Sequence, residues 1–315
     1  MQLIHGDCLE NMNIIENFNE GGSVGQIQPN SLINADCLDA MKYIESKSID
    51  MILCDLPYGT TACKWDVVIP FNKYVQIGKK VIYEQEYVFD KMKSGVSYRE
   101  ALEDFLSISK DGLWEQYKRI IKDRGAIVLF GSEPFSSYLR MSNIKQYKYD
   151  WVWDKKKGGN IMNLKQQPYK VHEIISVFAG GNYYPIMTEQ KPRTGKTYSS
   201  GEANGIENYG DLRHYDKKFP KSIIEESNAN QKGKIHPTQK PVALLEYLIK
   251  TYTLEGETVL DNCMGSFSTA IACLNTKRSF IGIEKDAHYF QVGKDRVEKH
   301  LITLDYSPEI VYYQV

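Results

Sequence analysis

Six apolar runs of strand length recur along the chain, and their apolar residues are largely continuous rather than alternating. Continuous apolar runs are typical of strands that are covered on both faces in a mainly parallel sheet. Three further segments have apolar residues at helical spacing, and strands that alternate with helices predict a doubly wound α/β sheet. The predicted strands are 49–54, 126–132, 149–154, 173–180, 258–264 and 279–284, and the predicted helices are 241–253, 268–276 and 287–301.

Two similar segments near the N-terminus each have the pattern of a short strand, an aspartate and the start of a helix. They are LIHGDCLENM at 3–12 and LINADCLDAM at 32–41. The second copy leads directly into the predicted strand 49–54, so we expect it to be the functional one. Whether the first copy forms a further strand stays open.

No low-complexity linker divides the 315 residues, so we predict a single domain over 1–315 with two insertions. The first insertion, 72–122, is charged and mostly helix-like. The second, 155–240, is polar and rich in Gly, Asn, Tyr and Lys. It contains 15 Lys and Arg against 8 Asp and Glu, whereas the whole chain has a net charge of −1. A basic, aromatic-rich insertion on an acidic body is expected of a protein that binds a phosphate backbone, although a solvated loop is the alternative.

Several classes of protein are disfavoured by what the sequence lacks. No run of about 18 apolar residues is present, and the N-terminus has no signal-peptide pattern. No two cysteines form a CxxC pair, which favours reduced thiols over disulfides or a metal site. We therefore expect a cytoplasmic protein without a bound metal. The six cysteines are at positions 8, 37, 54, 63, 263 and 273.

The first candidate for chemistry is the turn that follows strand 49–54, with Asp55, Leu56, Pro57 and Tyr58. The carboxylate of Asp55 and the carbonyl of Leu56 can each accept one hydrogen of a planar amino group. Two acceptors draw the nitrogen lone pair out of conjugation with the ring, so the amine becomes able to attack. Tyr58 would stack on the ring, and Pro57 would fix the backbone. An ordinary type I or II turn is the alternative.

The second candidate is a strand, glycine turn and helix in VLDNCMGSFSTAIA, at 259–272. Asp261 ends the strand, and Gly265 and Ser266 form the turn. The backbone N–H groups of such a turn can bind a ligand. The GxGxxG fingerprint of nicotinamide enzymes is absent, which disfavours a dehydrogenase.

Further candidates lie on either side of this turn. Glu284 ends a strand 23 residues after Asp261, a spacing that suits an acid reaching ribose hydroxyls, although a capping or surface acid is the alternative. Thr238 and Lys240 precede Pro241, a favoured first residue of a helix. They would lie at the positive end of the helix dipole, where they could hold the carboxylate of an amino-acid-like ligand.

Together these segments resemble the β-class S-adenosylmethionine-dependent DNA amino-methyltransferases. DLPY at 55–58 resembles the family's D-P-P-Y, and 259–272 resembles its D-P-F-x-G-S-G-T loop. The H-P-T-Q-K-P stretch within 234–249 is nearly identical to the family's. The order along the chain is also similar, and the resemblance covers 32–66 and 125–301.

The sequence departs from the family pattern at a few positions. Leu56 replaces a proline, so one rigidifying ring is lost while the carbonyl remains. Asn262, Cys263 and Phe267 differ in the cofactor loop. Phe267 replaces the second glycine and is expected to leave less room for a ligand close to the backbone.

The resemblance implies a Rossmann-like fold whose cofactor is S-adenosylmethionine and whose substrate is double-stranded DNA, recognised through 155–240. The target base would flip into a pocket, where Asp55, Leu56, Pro57 and Tyr58 form the catalytic turn. An Asp at position 55 favours adenine N6. In the family an acid at the position of Asp36 binds the adenine amino group of the cofactor, and Asp7 is the competing candidate. The cofactor-binding residues that follow from the resemblance are Asp36, Thr238, Lys240, Asp261, Gly265, Ser266 and Glu284.

Three alternatives stay open at this point. Methylation could fall on cytosine N4, or the chain could be a DNA-binding protein whose catalytic site has decayed. A nicotinamide oxidoreductase is the third and is disfavoured by the missing glycines. A homodimer and a cognate restriction enzyme are left open as further partners.

Overall fold

The computed structural model describes residues 14–15, 26–60, 66–198, 209–228, 239–306 and 308–314. The strands are β1 (Ile14–Ile15), β2 (Ser31–Asn34), β3 (Ile49–Cys54), β4 (Tyr74–Ile77), β5 (Lys80–Tyr83), β6 (Ile121–Gly131), β7 (Tyr147–Asp154), β8 (His172–Ala179), β9 (Thr188–Tyr198), β10 (Tyr209–Lys218), β11 (Ile223–Glu225), β12 (Thr258–Asp261), β13 (Ser279–Glu284) and β14 (Val311–Gln314). The helices are α1 (Cys37–Met41), α2 (Glu84–Lys93), α3 (Tyr98–Ile108), α4 (Leu113–Ile120), α5 (Phe135–Ser142), α6 (Val242–Tyr252), α7 (Ser268–Asn275) and α8 (Ala287–Leu301).

Ten of these strands form one sheet in the order β1-β14-β2-β13-β12-β3-β6-β8-β7-β11. Every neighbouring pair is parallel except the two that β8 makes with β6 and β7. The chain leaves β12 towards β13 and leaves β3 towards β6, so the strand order reverses between β12 and β3. Ligands of open α/β sheets bind at such a switch point, outside the carboxyl ends of the strands. The predicted mainly parallel α/β fold is confirmed.

The central strands are buried on both faces, which accounts for their continuous apolar sequences. In β3, Ile52 and Cys54 belong to the core on one side of the sheet, and Met51 and Leu53 belong to the core on the other. All four are at most 1% exposed. Side chains of a strand point alternately to opposite faces, so an unbroken apolar run fills two cores.

Both predicted insertions contain strands. The region 72–122 does contain α2, α3 and α4, but it begins with an antiparallel hairpin of β4 and β5. The region 155–240 contributes two strands to the sheet: β8, which was predicted at 173–180 and lies between β6 and β7, and β11, which pairs with β7. β8 lies in the sheet because its apolar side chains Ile175, Val177 and Phe178 are buried in the cores. Outside the sheet, β9 and β10 form an antiparallel ribbon.

Three short strands of the sheet were not predicted: β1, β11 and β14. β14 is four residues long and pairs parallel with β2 and with β1. Tyr312 and Tyr313 are largely buried, so packing stabilises a strand that is too short to be recognised in the sequence. The repeated segment 3–12 lies outside the described residues. Within the described ranges, no helix combines the length and apolar character that crossing a lipid bilayer requires.

Candidate active site

A cavity of about 1060 Å³ opens at the carboxyl edge of the sheet, where β3 and β12 end side by side. It brings together residues that are widely separated in the sequence. Thr238 lies outside the described residues. The sequence-predicted residues that line the cavity are Asp36, Asp55, Leu56, Pro57, Tyr58, Lys240, Asp261, Gly265, Ser266 and Glu284.

The catalytic turn begins directly after β3. The Tyr58 hydroxyl donates to Asp55 Oδ1 at 2.7 Å, and the Tyr58 ring stacks on Phe135 with centroids 4.8 Å apart. The ammonium of Lys240 donates to the other oxygen, Oδ2 of Asp55. Burial raises the pKa of Asp55, while Lys240 opposes this effect. Burial and the nearby Asp55 hold the pKa of Tyr58 well above its usual value, so Tyr58 stays a hydrogen-bond donor.

Behind Asp55 lies a chain of alternating charges that the sequence did not reveal. Lys240 Nζ is 3.4 Å from Glu173 Oε2, and Lys155 Nζ is 2.9 Å from Glu173 Oε1. The Lys240 ammonium also lies 5.1 Å from the centre of the Phe130 ring. Although burial lowers it, the pKa of Lys240 is raised overall by Asp55 and Glu173. For Glu173, burial alone would raise the pKa, but Lys240 and Lys155 hold the pKa below its usual value.

The position of Lys240 differs from what its sequence context suggested. The residue lies before α6, as expected, but its ammonium faces Asp55 and Glu173. Its side chain is only 9% exposed. Both of its ionic partners are therefore carboxylates of the protein at the catalytic end of the cavity.

The glycine turn after β12 is held by two acids. Asp261 is buried and accepts hydrogen bonds from the Cys263 N–H and the Thr269 hydroxyl. Burial raises the pKa of Asp261 to about 6. Gly265 has a φ of +53°, a left-handed conformation that favours glycine, and its N–H donates to Glu284 Oε2 at 2.7 Å. The strand β13 that carries Glu284 is thereby tied to the turn.

Phe267 does not narrow the cavity as the sequence suggested. Its backbone has a φ of +60°, a left-handed conformation that favours glycine. Its ring is fully buried, packs edge-on against Phe290 at 5.7 Å and lies over Gly293 of α8. A Cβ at Gly293 would lie 2.4 Å from the Phe267 ring, so the helix leaves room for the ring only because this residue is glycine.

Asp36 lies at the rim beside the glycine turn. It is the N-cap of α1, where Oδ1 accepts the Leu38 N–H at 2.9 Å. The other oxygen of Asp36, Oδ2, is 3.0 Å from Nζ of Lys285, the residue that follows Glu284 in the chain. Asp36 and Glu284 both line the cavity, and the strand before Asp36, β2, is a neighbour of the strand that carries Glu284, β13.

Three thiols lie close together at this end of the cavity. Cys37 and Cys263 line it, and Cys54 lies close enough to Cys263 to affect the pKa of its thiol. All four cysteines in the described ranges are free thiols, and burial raises the pKa of Cys54 to about 12. Across the described residues, no cluster of three or more His, Cys, Asp or Glu side chains has an arrangement that could hold a metal ion.

Comparison with known proteins places this geometry in context. A family model described as DNA methylase, of the N6/N4 type, matches residues 49–295. The chain is 26% identical over 288 residues to the type II methyltransferase M.HpaI of Haemophilus parainfluenzae, covering 87% of this chain and 76% of the relative. It is 24% identical over 307 residues to M.HindIII of Haemophilus influenzae, covering 84% and 94%. The structure of the cytosine-N4-specific PvuII DNA methyltransferase has a similar fold, with a TM-score of 0.51, 12% identity and coverage of 92% and 96%.

Proposed function

The chain belongs to the N6/N4 DNA methylase family, and we propose that it transfers a methyl group from S-adenosylmethionine to adenine N6 in double-stranded DNA. One observation carries the proposal. The carboxylate of Asp55, fixed from two sides, lies in the same cavity as the Gly265 turn. An acceptor for an amino group and a cradle for a ligand are thereby held within one cavity.

The residues of the glycine turn fit the cofactor. Gly265 brings the backbone to the cavity without a side chain, and Phe267 is directed into the core. Each Glu284 oxygen accepts one backbone N–H, from Gly265 or Asp286, and a carboxylate oxygen has a second lone pair for a ribose hydroxyl. Asp36 would accept the adenine amino group. When bound, the cofactor supplies the electrophilic methyl group.

The catalytic turn would act on the amino group of a flipped base. Asp55 Oδ1 and Oδ2 each accept one hydrogen bond from the protein, which leaves one lone pair on each for the substrate. With the Leu56 carbonyl as second acceptor, the amino nitrogen is pyramidalised and its lone pair is directed at the methyl carbon. Holding the two reactants in line contributes much of the rate. Asp55, whose pKa burial raises, can take up the proton that the methylated nitrogen releases.

Lys240 receives a different role from the one its sequence context suggested. We infer that it positions Asp55 rather than binding the cofactor carboxylate, because its ammonium contacts Asp55 and Glu173. Glu173 in turn is held by Lys155. The chain of alternating charges keeps a buried carboxylate ionised and oriented.

The choice of adenine rests on Asp55, since an Asp at this position resembles the adenine members of the family. Double-stranded DNA as the substrate is supported by the basic composition of 155–240 and by the ribbon of β9 and β10. A two-stranded β-ribbon fits the major groove of DNA. Lys and Arg on such a ribbon would contact phosphates, and polar side chains would read base edges.

The direct test incubates the protein with methyl-labelled S-adenosylmethionine and unmethylated genomic DNA, followed by digestion to nucleosides and mass spectrometry. We expect label in N6-methyladenine, and sequencing of the methylated sites then gives the recognition sequence. Label in N4-methylcytosine would retain the reaction and overturn the base assignment. Asp55→Ala is expected to abolish transfer while calorimetric cofactor binding stays within about threefold of wild type, because Asp55 contacts the base rather than the cofactor. Absence of both transfer and cofactor binding in the wild type would overturn the proposal.

A further inference from the structure

A loop at the carboxyl edge exposes three large apolar side chains. The segment 156–171 connects β7 to β8, and its short 3-10 turn carries Ile161 and Met162. Met162 is 96% exposed, Ile161 is 61% exposed and Leu164 is 48% exposed. We call these three side chains the apolar tip. Adjacent exposed apolar residues on one loop indicate a surface that a partner covers.

The loop beneath the apolar tip is held by its own hydrogen bonds. Asn160 Nδ2 donates to the Pro168 carbonyl at 2.9 Å, and Asn160 Oδ1 accepts the Lys170 N–H at 2.9 Å. The Tyr169 hydroxyl donates to the Gly158 carbonyl at 3.1 Å. The packing is close, since a Cβ at Gly158 would lie 2.5 Å from the Lys170 carbonyl oxygen. The exposed side chains therefore project from a built scaffold.

The base of the loop that carries the apolar tip lies beside the catalytic end of the cavity. At the base of the loop, the Lys155 N–H donates to the Val171 carbonyl at 2.7 Å. Lys155 and Glu173, on either side of the loop, both line the cavity. Glu173 is connected through Lys240 to Asp55. A base that reaches Asp55 therefore comes from a duplex that passes close to this loop.

Charge favours DNA as the partner over a second protein surface. Between 156 and 171 the chain has four lysines and no Asp or Glu. A basic loop is complementary to a phosphate backbone. Met, Ile and Leu are side chains that proteins insert as wedges between base steps, where they unstack and kink the duplex.

We propose that the apolar tip, with Met162 foremost, enters the duplex beside the target base and occupies the space that the flipped base leaves. This inference rests on the proposed function and adds the device that keeps the base out of the stack. An extruded base costs unstacking and unpairing free energy, and an apolar side chain in the vacated space opposes its return. The tip thereby favours the extrahelical base without contacting the reacting atoms.

The test compares Met162→Ala with Met141→Ala, a matched control on α5 whose side chain is 70% exposed. The substrate is a duplex with the recognition sequence found by the methylation experiment and with 2-aminopurine beside the target base. For Met162→Ala we expect roughly tenfold lower kcat/KM and a much weaker rise in 2-aminopurine fluorescence, with cofactor binding unchanged. Activity should recover to within about threefold on a duplex with a mismatch at the target, since that base flips more easily. The Met141→Ala control should match wild type.

The outcomes separate this inference from the proposed function. A wild type that methylates DNA while Met162→Ala equals it in rate and fluorescence would overturn the wedge alone. Sedimentation that shows a wild-type dimer and a Met162→Ala monomer would assign the apolar tip to a second copy of the chain and overturn it as well. A wild type that methylates no DNA removes the proposed function, and the wedge with it.

Discussion

The role of Lys240 can be tested by replacing it with methionine, which keeps its length and removes its charge. The ammonium is buried and faces Asp55 and Glu173. Removing one partner of a buried ion pair costs about 3–5 kcal/mol, because an uncompensated charge is left behind. If roughly 2 kcal/mol of that loss falls on the orientation of Asp55 in the transition state, kcat decreases about 30-fold.

The pH dependence gives a sharper signature than the rate alone. Lys240 opposes the burial that raises the pKa of Asp55, so its removal raises that pKa further. Asp55 must be ionised to accept the amino hydrogen. As pH falls, the variant therefore loses ionised Asp55 at a higher pH than wild type, and the acid limb of the kcat profile moves to higher pH.

The assay measures kcat against pH for wild type, Lys240→Met and Lys122→Met. Lys122 is the matched control because its Nζ is 2.8 Å from both oxygens of buried Asp50, away from the cavity. Lys122→Met should lose stability and keep the wild-type profile. A Lys240→Met enzyme with an unchanged acid limb and a strongly raised KM for S-adenosylmethionine would refute the positioning role and support binding of the cofactor carboxylate.

Three further outcomes test the cofactor end of the site. Asp261 has a pKa raised to about 6 against an ordinary value of 3.8, so the native state binds the proton more tightly and stability falls as pH rises between these values. Because Asn cannot ionise, the Asp261→Asn variant is spared this loss. In urea titrations, its free energy of unfolding relative to wild type should therefore be higher at pH 8 than at pH 5 by roughly 1.5 kcal/mol. An equal difference at both pH values would contradict the raised pKa. Cys54, with a pKa of about 12, should resist iodoacetamide at pH 8 in the folded protein and should react in urea. Peptide-resolved mass spectrometry measures this labelling, and rapid labelling of the native protein would contradict the burial of Cys54. Phe267→Gly should lose about 4 kcal/mol of stability by leaving a cavity and should not tighten calorimetric cofactor binding, whereas tighter binding would mean that the ring does obstruct the cofactor.

The sequence was sufficient for those features that have a local cause. β3 and β13 were predicted with their observed ends, and α8 was predicted with both ends, because their apolar spacing coincides with burial. The acids and glycine at the strand ends were also found, since a parallel sheet brings carboxyl ends to one edge. Features that depend on packing between distant segments were not found. β14 is four residues long, and only its pairing with β2 and β1 makes it a strand.

Phe267 shows how the same limit applies within the site. Its sequence position, where a glycine is usual, suggested an obstructed ligand pocket. Whether the Phe267 ring obstructs the pocket depends on Gly293, because this glycine leaves space on α8 that the ring fills. The two residues are 26 positions apart in the sequence, and nothing in the local pattern of either one indicates the contact. A substitution in a loop can therefore be judged only together with the surface against which it packs.

Glu173 was missed because of the direction of its strand. In the parallel strands, a residue that lies at the carboxyl edge of the sheet comes after the apolar run of its strand, as Asp55, Asp261 and Glu284 do. β8 runs antiparallel to β6 and β7, so its amino end lies at that edge and Glu173 precedes its apolar run. An apolar run carries no sign of its direction in a sheet. In a mixed sheet, acids at both ends of each predicted strand are therefore candidates, and the antiparallel strand is what brings a second carboxylate within reach of Lys240.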